Sequence, residues 1–346
     1  MNRGLRKQSQ PTQQKQEKFA GGEVLVLNGS EVARRLSIDD ALKAMERALV
    51  LEAQGLTVMP PKLYLDLPEY EGDFRAMPAY IDGAVGLKLV SVYPNNYRYS
   101  LPTIMATIIL CDANTSRPLA IMDGTYITNI RTGAIGGVAV KYLARKNSST
   151  IGFIGAGMQA RTQLMAISKV LSKIKEVKVF DVRTDASKKF ADDMKLELGL
   201  NIHPVETIER TTETDIIVTT TPSREPIVKE QYIRPGTHIN AIGADAKGKQ
   251  ELESNLLRRA KIVVDHVEQA SHSGEINVPL SERVIKIENI HGTLGEIVAK
   301  MKRGRETDEE ITIFDSTGLA IQDIICAKLV YEKAKKDKNI SVCKLL

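Results

Sequence analysis

The sequence predicts an α/β protein built on two unlike sheets, one antiparallel and one parallel and doubly wound. Three observations carry this expectation. Between residues 60 and 123, short β-like runs follow one another with no helix between them, which argues an antiparallel sheet. From about 148 to 315, apolar β runs alternate with helical stretches, which argues βαβ units. A single long helical pattern, 125–145, separates the two regions.

In chain order, residues 1–22 are rich in Gln, Lys and Ser and bring too little apolar surface to offset their ordering entropy, so they read as a disordered polar tail. Order is expected from Val24-Leu25-Val26-Leu27. Ser37 then has the character of an N-cap, with Asp40 three residues on, Leu42, Met45 and Leu49 at helical spacing, and Gly55 as a stop. The antiparallel strands are expected at 62–67, 74–80, 84–93, 103–112 and 119–123. Along 125–145, Ile127, Ile130, Ala134, Val138 and Leu143 fall roughly on one side. The parallel strands are expected at 150–154, 177–180, 215–219, 238–242 and 262–265. A final amphipathic helix, 319–336, is expected to pack back on the first sheet.

Composition excludes several classes of function. The chain has 346 residues, 42% hydrophobic and 26% charged, enough for a sizeable core and, at this length, two domains. No apolar run reaches 18 residues, so no membrane-spanning helix is expected, and no apolar segment follows the basic N-terminal residues as a secretory signal would require. Cys111, Cys326 and Cys343 are few and far apart, which fits a reducing, cytoplasmic setting. Much of the net charge of +5 sits in the tail, where Arg3, Arg6, Lys7, Lys15 and Lys18 oppose only Glu17. With six Phe, ten Tyr and no Trp, no basic surface with interleaved aromatics remains for a nucleic acid. His203, His238, His266, His272 and His291 lack metal-ligand spacing, so no metal site is expected.

The strongest functional signal follows the first parallel strand. Ile151-Gly152-Phe153-Ile154 runs directly into Gly155-Ala156-Gly157-Met158-Gln159-Ala160 and a helical stretch, the context that a dinucleotide fingerprint requires. Gly155 permits the tight turn, Gly157 lets the backbone approach a pyrophosphate, and the helix beginning near Met158 offers N–H groups to that anion. Asp181, 24 residues beyond Gly157, ends the next β run, where a carboxylate accepts bonds from ribose hydroxyls and repels a 2′-phosphate. NAD is therefore favoured over NADP, with Arg183 nearby weakening the discrimination.

Charged residues in apolar surroundings mark the rest of a site. Lys88 lies in Val85-Gly86-Leu87-Lys88-Leu89-Val90, where a lysine is costly unless it is paired or faces a cleft. Asp245 follows a parallel strand, at the end where doubly wound sheets place ligands. Arg131 lies in the long helix before the glycine turn.

Six blocks, Phe74-Arg75-Ala76-Met77-Pro78-Ala79-Tyr80, Gly86-Leu87-Lys88, Arg131-Thr132-Gly133-Ala134, Gly155-Ala156-Gly157-Met158-Gln159-Ala160, Gly243-Ala244-Asp245 and Asp315-Ser316-Thr317-Gly318, together resemble the ornithine cyclodeaminase/mu-crystallin family from about residue 24 to 331. The resemblance implies a Rossmann NAD-binding domain, 125–318 with its leading helix 125–145, inserted in an α+β substrate and dimerisation domain, 23–124 plus 319–346, and a homodimer. It implies Asp245 as the general acid/base and Lys88 as a catalytic group touching the substrate carboxylate and the reacting nitrogen. Lys62, Arg75, Arg131 and Thr317 would line the substrate site. Thr103, Arg131, Thr132, Gly155, Gly157, Met158, Gln159, Asp181, Arg183, Thr219, Asn240, Ala241, Ile242, Lys249 and Ser316 would line the cofactor cleft.

Two departures from the cyclodeaminase pattern bear on substrate. Lys62 stands where a carboxylate-clamping arginine is usual, and Arg75 stands where an acid is usual. A guanidinium there repels the second ammonium of ornithine and favours a small substrate with one carboxylate. The Phe-Arg-Ala-Met-Pro form resembles the archaeal-type alanine dehydrogenases of the family. The resemblance therefore implies NAD-dependent, reversible deamination of a small L-amino acid, L-alanine to pyruvate and ammonia. Ornithine cyclodeamination, reduction of cyclic imino acids, and mu-crystallin-like NAD(P)H and ligand binding without turnover are the alternatives.

Overall fold

A computed structural model describes residues 22–345; the expected polar tail, 1–22, lies outside the described residues but for Gly22. The first part of the chain forms β1 (Glu23–Leu27), α1 (Ile38–Ala53), β2 (Thr57–Val58), β3 (Leu63–Leu67), β4 (Gly72–Ile81), β5 (Ala84–Val92), β6 (Ile104–Asp112), β7 (Pro118–Asp123) and α2 (Gly124–Leu143). There follow β8 (Thr150–Ile154), α3 (Met158–Val170), β9 (Glu176–Phe180), α4 (Thr184–Leu198), β10 (Ile202–Pro204), β11 (Ile216–Thr219), β12 (His238–Ala241), β13 (Lys261–Val264), β14 (Ile290–Thr293) and β15 (Thr312–Asp315). The chain closes with α5 (Ala320–Ala334) and β16 (Val342–Lys344).

The first sheet runs β16-β1-β7-β6-β5-β4-β2, with β3 also on β4, and the second runs β10-β9-β8-β11-β12-β15-β13-β14. The second is parallel throughout, as expected. The first is mixed, because β1 runs parallel to β7 while its other pairings are antiparallel. β2, β10, β14, β15 and β16 went unanticipated. They are two to four residues long, too short to show a period, and their neighbours hold them in place.

Ser37 caps α1 with Asp40 completing a capping box, as the spacing predicts. α5 returns to the first sheet and packs on β4 and β5, so one face of that sheet is covered by helices. The opposite face leaves Val85, Leu89, Met105 and Ile109 exposed, Leu89 by 45%. α2 departs from the one-sided pattern read in the sequence, being buried nearly all round. A Cβ at Gly136 would collide with the Gln163 side chain, so glycine there lets α3 come close. Ile127, Ile130, Ala134 and Val138 enter the core of the first sheet and Val140 that of the second, so α2 is the packed seam between them.

Candidate functional site

Period-2 alternation on β4 places Arg75, Met77 and Ala79 on one buried face, and register sets Lys88 of β5 directly opposite Met77. Lys88 and Arg75 thus share the sheet face that meets α5 and, at Arg75, the loop after β12. Lys88 is 1% exposed; its Nζ lies 2.7 Å from Asp323 Oδ2 and 3.4 Å from Thr128 Oγ1. Asp323 on α5, also fully buried, accepts Arg131 Nε through its other oxygen at 2.9 Å. Burial pulls the Lys88 ammonium down to about 7, with Arg131 and Lys62 adding repulsion and Asp323 working against both. Burial disfavours the charged Asp323, yet Arg131 and Lys88 hold its carboxyl below its ordinary value.

Arg75 is not a free clamp. Its Nε and Nη2 grip Asp73 at 2.7 and 3.1 Å, and its Nη1 donates to Asp245 Oδ2 at 2.8 Å. Asp73 sits two residues earlier on the same strand face, and Asp245 arrives from the loop after β12. Lys249 donates to the other Asp245 oxygen at 2.6 Å. Burial raises the Asp245 carboxyl, but Arg75 and Lys249 outweigh it and hold the group well below the usual carboxylate range. Lys62, drawn down to about 8 by burial and by Arg75, donates to the carbonyl of Thr317 at 2.6 Å. The hydroxyl of Thr317 is committed to Asp265, which also accepts the Thr317 and Gly318 N–H groups at 2.6 and 2.8 Å. Thr317 therefore offers the site its carbonyl and not its hydroxyl.

The glycine turn fits a dinucleotide. Gly155 has φ +98°, and Gly157, the N-cap of α3, has open space where a Cβ would stand and no side chain capping the helix. Met158 is exposed beside it, and Gln159 Nε2 donates to Asn129 Oδ1 at 3.1 Å while its Oε1 is buried without a partner among the described residues. Asp181 closes the turn: one oxygen accepts Ala156 N and the other Arg183 N, each at 2.9 Å. The Arg183 side chain is exposed. Replacing Asp181 with Ala is expected to weaken NADH more than NADPH, since it removes a ribose acceptor and a charge that repels a 2′-phosphate; equal losses by fluorescence titration would leave it as a brace for the turn only.

Several residues expected to line the cofactor cleft are spent on the fold itself. Thr219 is fully buried and donates to Glu251 at 2.6 Å. Asn240 binds the Gly136 carbonyl, Gln163 and His238, while the Thr132 carbonyl accepts from Gln163. Ala241 O and Ile242 N complete the sheet with Ser316 and Thr219. Ala241 and Ile242 end a parallel strand, where backbone pairing claims their groups first. Ser316 keeps a buried hydroxyl with no partner. Thr103 is exposed in the bend before β6, and no hydrogen bond joins its side chain to the cluster.

Sequence reasoning missed Asp323 and Glu251. Asp323 carries the signal that singled out Lys88, a charge inside the apolar stretch Leu319-Ala320-Ile321-Gln322-Asp323-Ile324-Ile325. Glu251 sits in a polar segment and carries no such signal, yet it accepts the Thr219 hydroxyl and the Thr221 and Gly243 N–H groups, joining the loops after β11 and β12. No helix among the described residues is long and apolar enough to cross a membrane, and no group of His, Cys, Asp and Glu among them is arranged to hold a metal.

The sequence profile of the ornithine cyclodeaminase/mu-crystallin family matches residues 23–338. The chain is 54% identical to the alanine dehydrogenase of Archaeoglobus fulgidus, over 92% of this chain and 97% of that protein. Among solved structures, an archaeal alanine dehydrogenase dimer with bound NAD superposes with a TM-score of 0.90 at 52% identity, covering 94% of this chain and all of that one. The Δ1-pyrroline-2-carboxylate reductase of Thermococcus litoralis, in complex with NADH and L-proline, superposes with a TM-score of 0.89 at 42% identity, over 92% of this chain and 99% of that one.

Proposed function

This chain belongs to the ornithine cyclodeaminase/mu-crystallin family, and we propose that it catalyses the reversible, NAD-dependent deamination of L-alanine to pyruvate and ammonia. The observation that carries this reading is the charge balance of the cleft. Five cations, Lys62, Arg75, Lys88, Arg131 and Lys249, are interleaved with four carboxylates, Asp73, Asp245, Asp265 and Asp323. One more negative charge balances the set. Pyruvate, with one carboxylate and no cation, supplies it, a 2-oxo dicarboxylate brings one anion too many, and ornithine, with two ammoniums against one carboxylate, adds a cation instead. The likeness to alanine dehydrogenases supports the same choice, and relatives bound to NAD or NADH support the cofactor.

The bound nicotinamide supplies hydride transfer at Cα. Lys88 and Arg131, with Lys62 beside them, hold the substrate carboxylate and so fix the direction of Cα–H. Asp245, the general acid/base that the resemblance implies, is held ionised between Arg75 and Lys249, so in this reading it accepts a hydrogen bond from the substrate ammonium and leaves the proton transfer to Lys88. Lys88, titrating near 7, takes the proton that leaves nitrogen and returns one when the imine is hydrolysed. Asp245→Asn removes the fixed charge on the substrate ammonium and is expected to lower turnover by roughly 10²–10³-fold while NADH affinity holds within a few-fold, as steady-state kinetics and fluorescence titration would show.

A cyclic imino acid also carries one carboxylate and no further charge, so the same balance admits its reduction, and the likeness to a pyrroline-2-carboxylate reductase favours that as a second reading. Following NADH absorbance separates the two. Oxidation of NADH by pyruvate that requires ammonium marks the dehydrogenase; rapid oxidation by Δ1-pyrroline-2-carboxylate alone, with none by pyruvate and ammonium, marks the imine reductase. Proline formed from ornithine with catalytic NAD would overturn both. The exposed face of the first sheet, with Leu89, Met105 and Ile109, is the proposed dimer surface. A single monomeric species by light scattering at micromolar concentration removes that part of the proposal.

A further inference from the structure

Gln322, on the first turn of α5, is fully buried, and its Nε2 has no hydrogen-bond partner among the described residues. The other end of the amide is occupied: Oε1 accepts Arg131 Nη1 at 3.2 Å and Leu319 N at 3.4 Å. Those two bonds set the orientation of the amide plane, so Nε2 is a donor held in place without an acceptor. A buried donor left in this state costs its whole desolvation free energy, and proteins retain such groups where a ligand supplies the missing partner. The Ser316 hydroxyl, six residues earlier on the other side of the Thr317–Gly318 turn, is buried and unpartnered as well.

The surroundings say what kind of partner is missing. The guanidinium of Arg131 lies against Gly318, so close that a Cβ there would stand 2.7 Å from Nη1. Gln322 also sits at the N-terminal end of the fifteen-residue α5, where the helix dipole favours negative charge. Asp323, the acid that pairs with Arg131 among the described residues, is already shared with Lys88. An amide donor among a helix N-terminus and paired cations fits an anionic oxygen.

We propose that Gln322 is a substrate-contact residue whose Nε2–H donates to the substrate carboxylate beside Arg131; this rests on the dehydrogenase reading above. Neither the glycine turn nor the acid/base pair involves this residue, and its effect is separable from theirs. The discriminating variant is Gln322→Glu, which keeps an oxygen for Arg131 and Leu319 N and replaces the donor by a second acceptor.

The test is calorimetric titration of the NADH-loaded protein with propionate, a three-carbon carboxylate without a reactive centre, together with pyruvate kinetics. The expected result is a loss of at least tenfold in propionate affinity and a rise of at least tenfold in the KM for pyruvate, with NADH affinity within twofold of the parent. Unchanged propionate affinity overturns the proposal, as does an equal loss of NADH affinity, which would place the donor on the cofactor. Absence of propionate binding to the parent overturns it too. Should Q322E fail to fold, Q322M removes the donor without adding charge, and a loss of threefold or more for propionate is then required. A parent that binds propionate but does not turn over pyruvate would sink the dehydrogenase reading and leave the contact standing.

Discussion

Lys88→Met is expected to lower turnover at least a hundredfold and to leave the folded protein as stable as the parent, or more so, at pH 7. The two outcomes have different origins. Turnover falls because the variant lacks both the cation on the substrate carboxylate and the group that exchanges a proton near neutral pH. Stability holds because a buried ammonium is a burden on the fold. Methionine has similar length, its neighbours across the strands are Met77 and Ile108, and Asp323 keeps its contact with Arg131 at 2.9 Å.

The pH dependence of that stability difference has a definite sign. In the folded parent Lys88 titrates near 7, below the 10.5 of an unfolded lysine. Below pH 7 both states carry the proton and the full cost of burying it is present; between 7 and 10.5 the folded state sheds the proton first and the cost fades. The advantage of Lys88→Met in thermal midpoint is therefore largest at or below pH 7 and vanishes towards pH 10.5. Midpoints measured at pH 7 and pH 10 decide the matter. A variant clearly less stable than the parent at pH 7 would make Lys88 a structural residue.

The parts of this molecule legible in the sequence are those whose residues carry their own reasons. β4 and β5 alternate over nine or ten residues, Ser37 and Asp40 form a cap by spacing alone, and Gly155 and Gly157 follow a strand. The parallel pairing of β1 with β7, and the short β15 and β16, depend on partners far along the chain and leave no local pattern. The site divides in the same way. Lys88, Asp245 and Arg131 stand out because a charge in an apolar setting demands a partner, but the identity of that partner is a tertiary fact. The Arg75 fork shows the boundary well. Asp73, two residues before it on one strand face, was within reach of period-2 reasoning, whereas the arrival of Asp245 across the cleft was not. With both contacts made, most of the Arg75 charge is spent inside the protein, which weakens any role in repelling the distal ammonium of ornithine.

Asp323→Ala should be the most destabilising single change in the site. Asp323 is the shared counter-ion of Lys88 and Arg131, all three nearly or wholly buried, so its removal leaves two cations facing one another with no acid between them. Breaking a buried pair by deleting one partner costs about 3–5 kcal/mol, and the cavity left at α5 adds to it. Part of that cost is relieved if Lys88 gives up its proton, since the acid that opposed its downward shift is gone. Activity should then fall at pH 7 even in the fraction that folds, because a lysine of lowered proton affinity is a poorer base for the substrate ammonium and a poorer cation for its carboxylate. A double-mutant cycle isolates the contact. In the Lys88→Met background only Arg131 is left unpaired, so Asp323→Ala should cost roughly 1–3 kcal/mol less by urea unfolding than it does in the parent. Equal costs in the two backgrounds would mean that Asp323 supports Arg131 alone, and that Lys88 is held by burial and by Thr128 rather than by its charge partner.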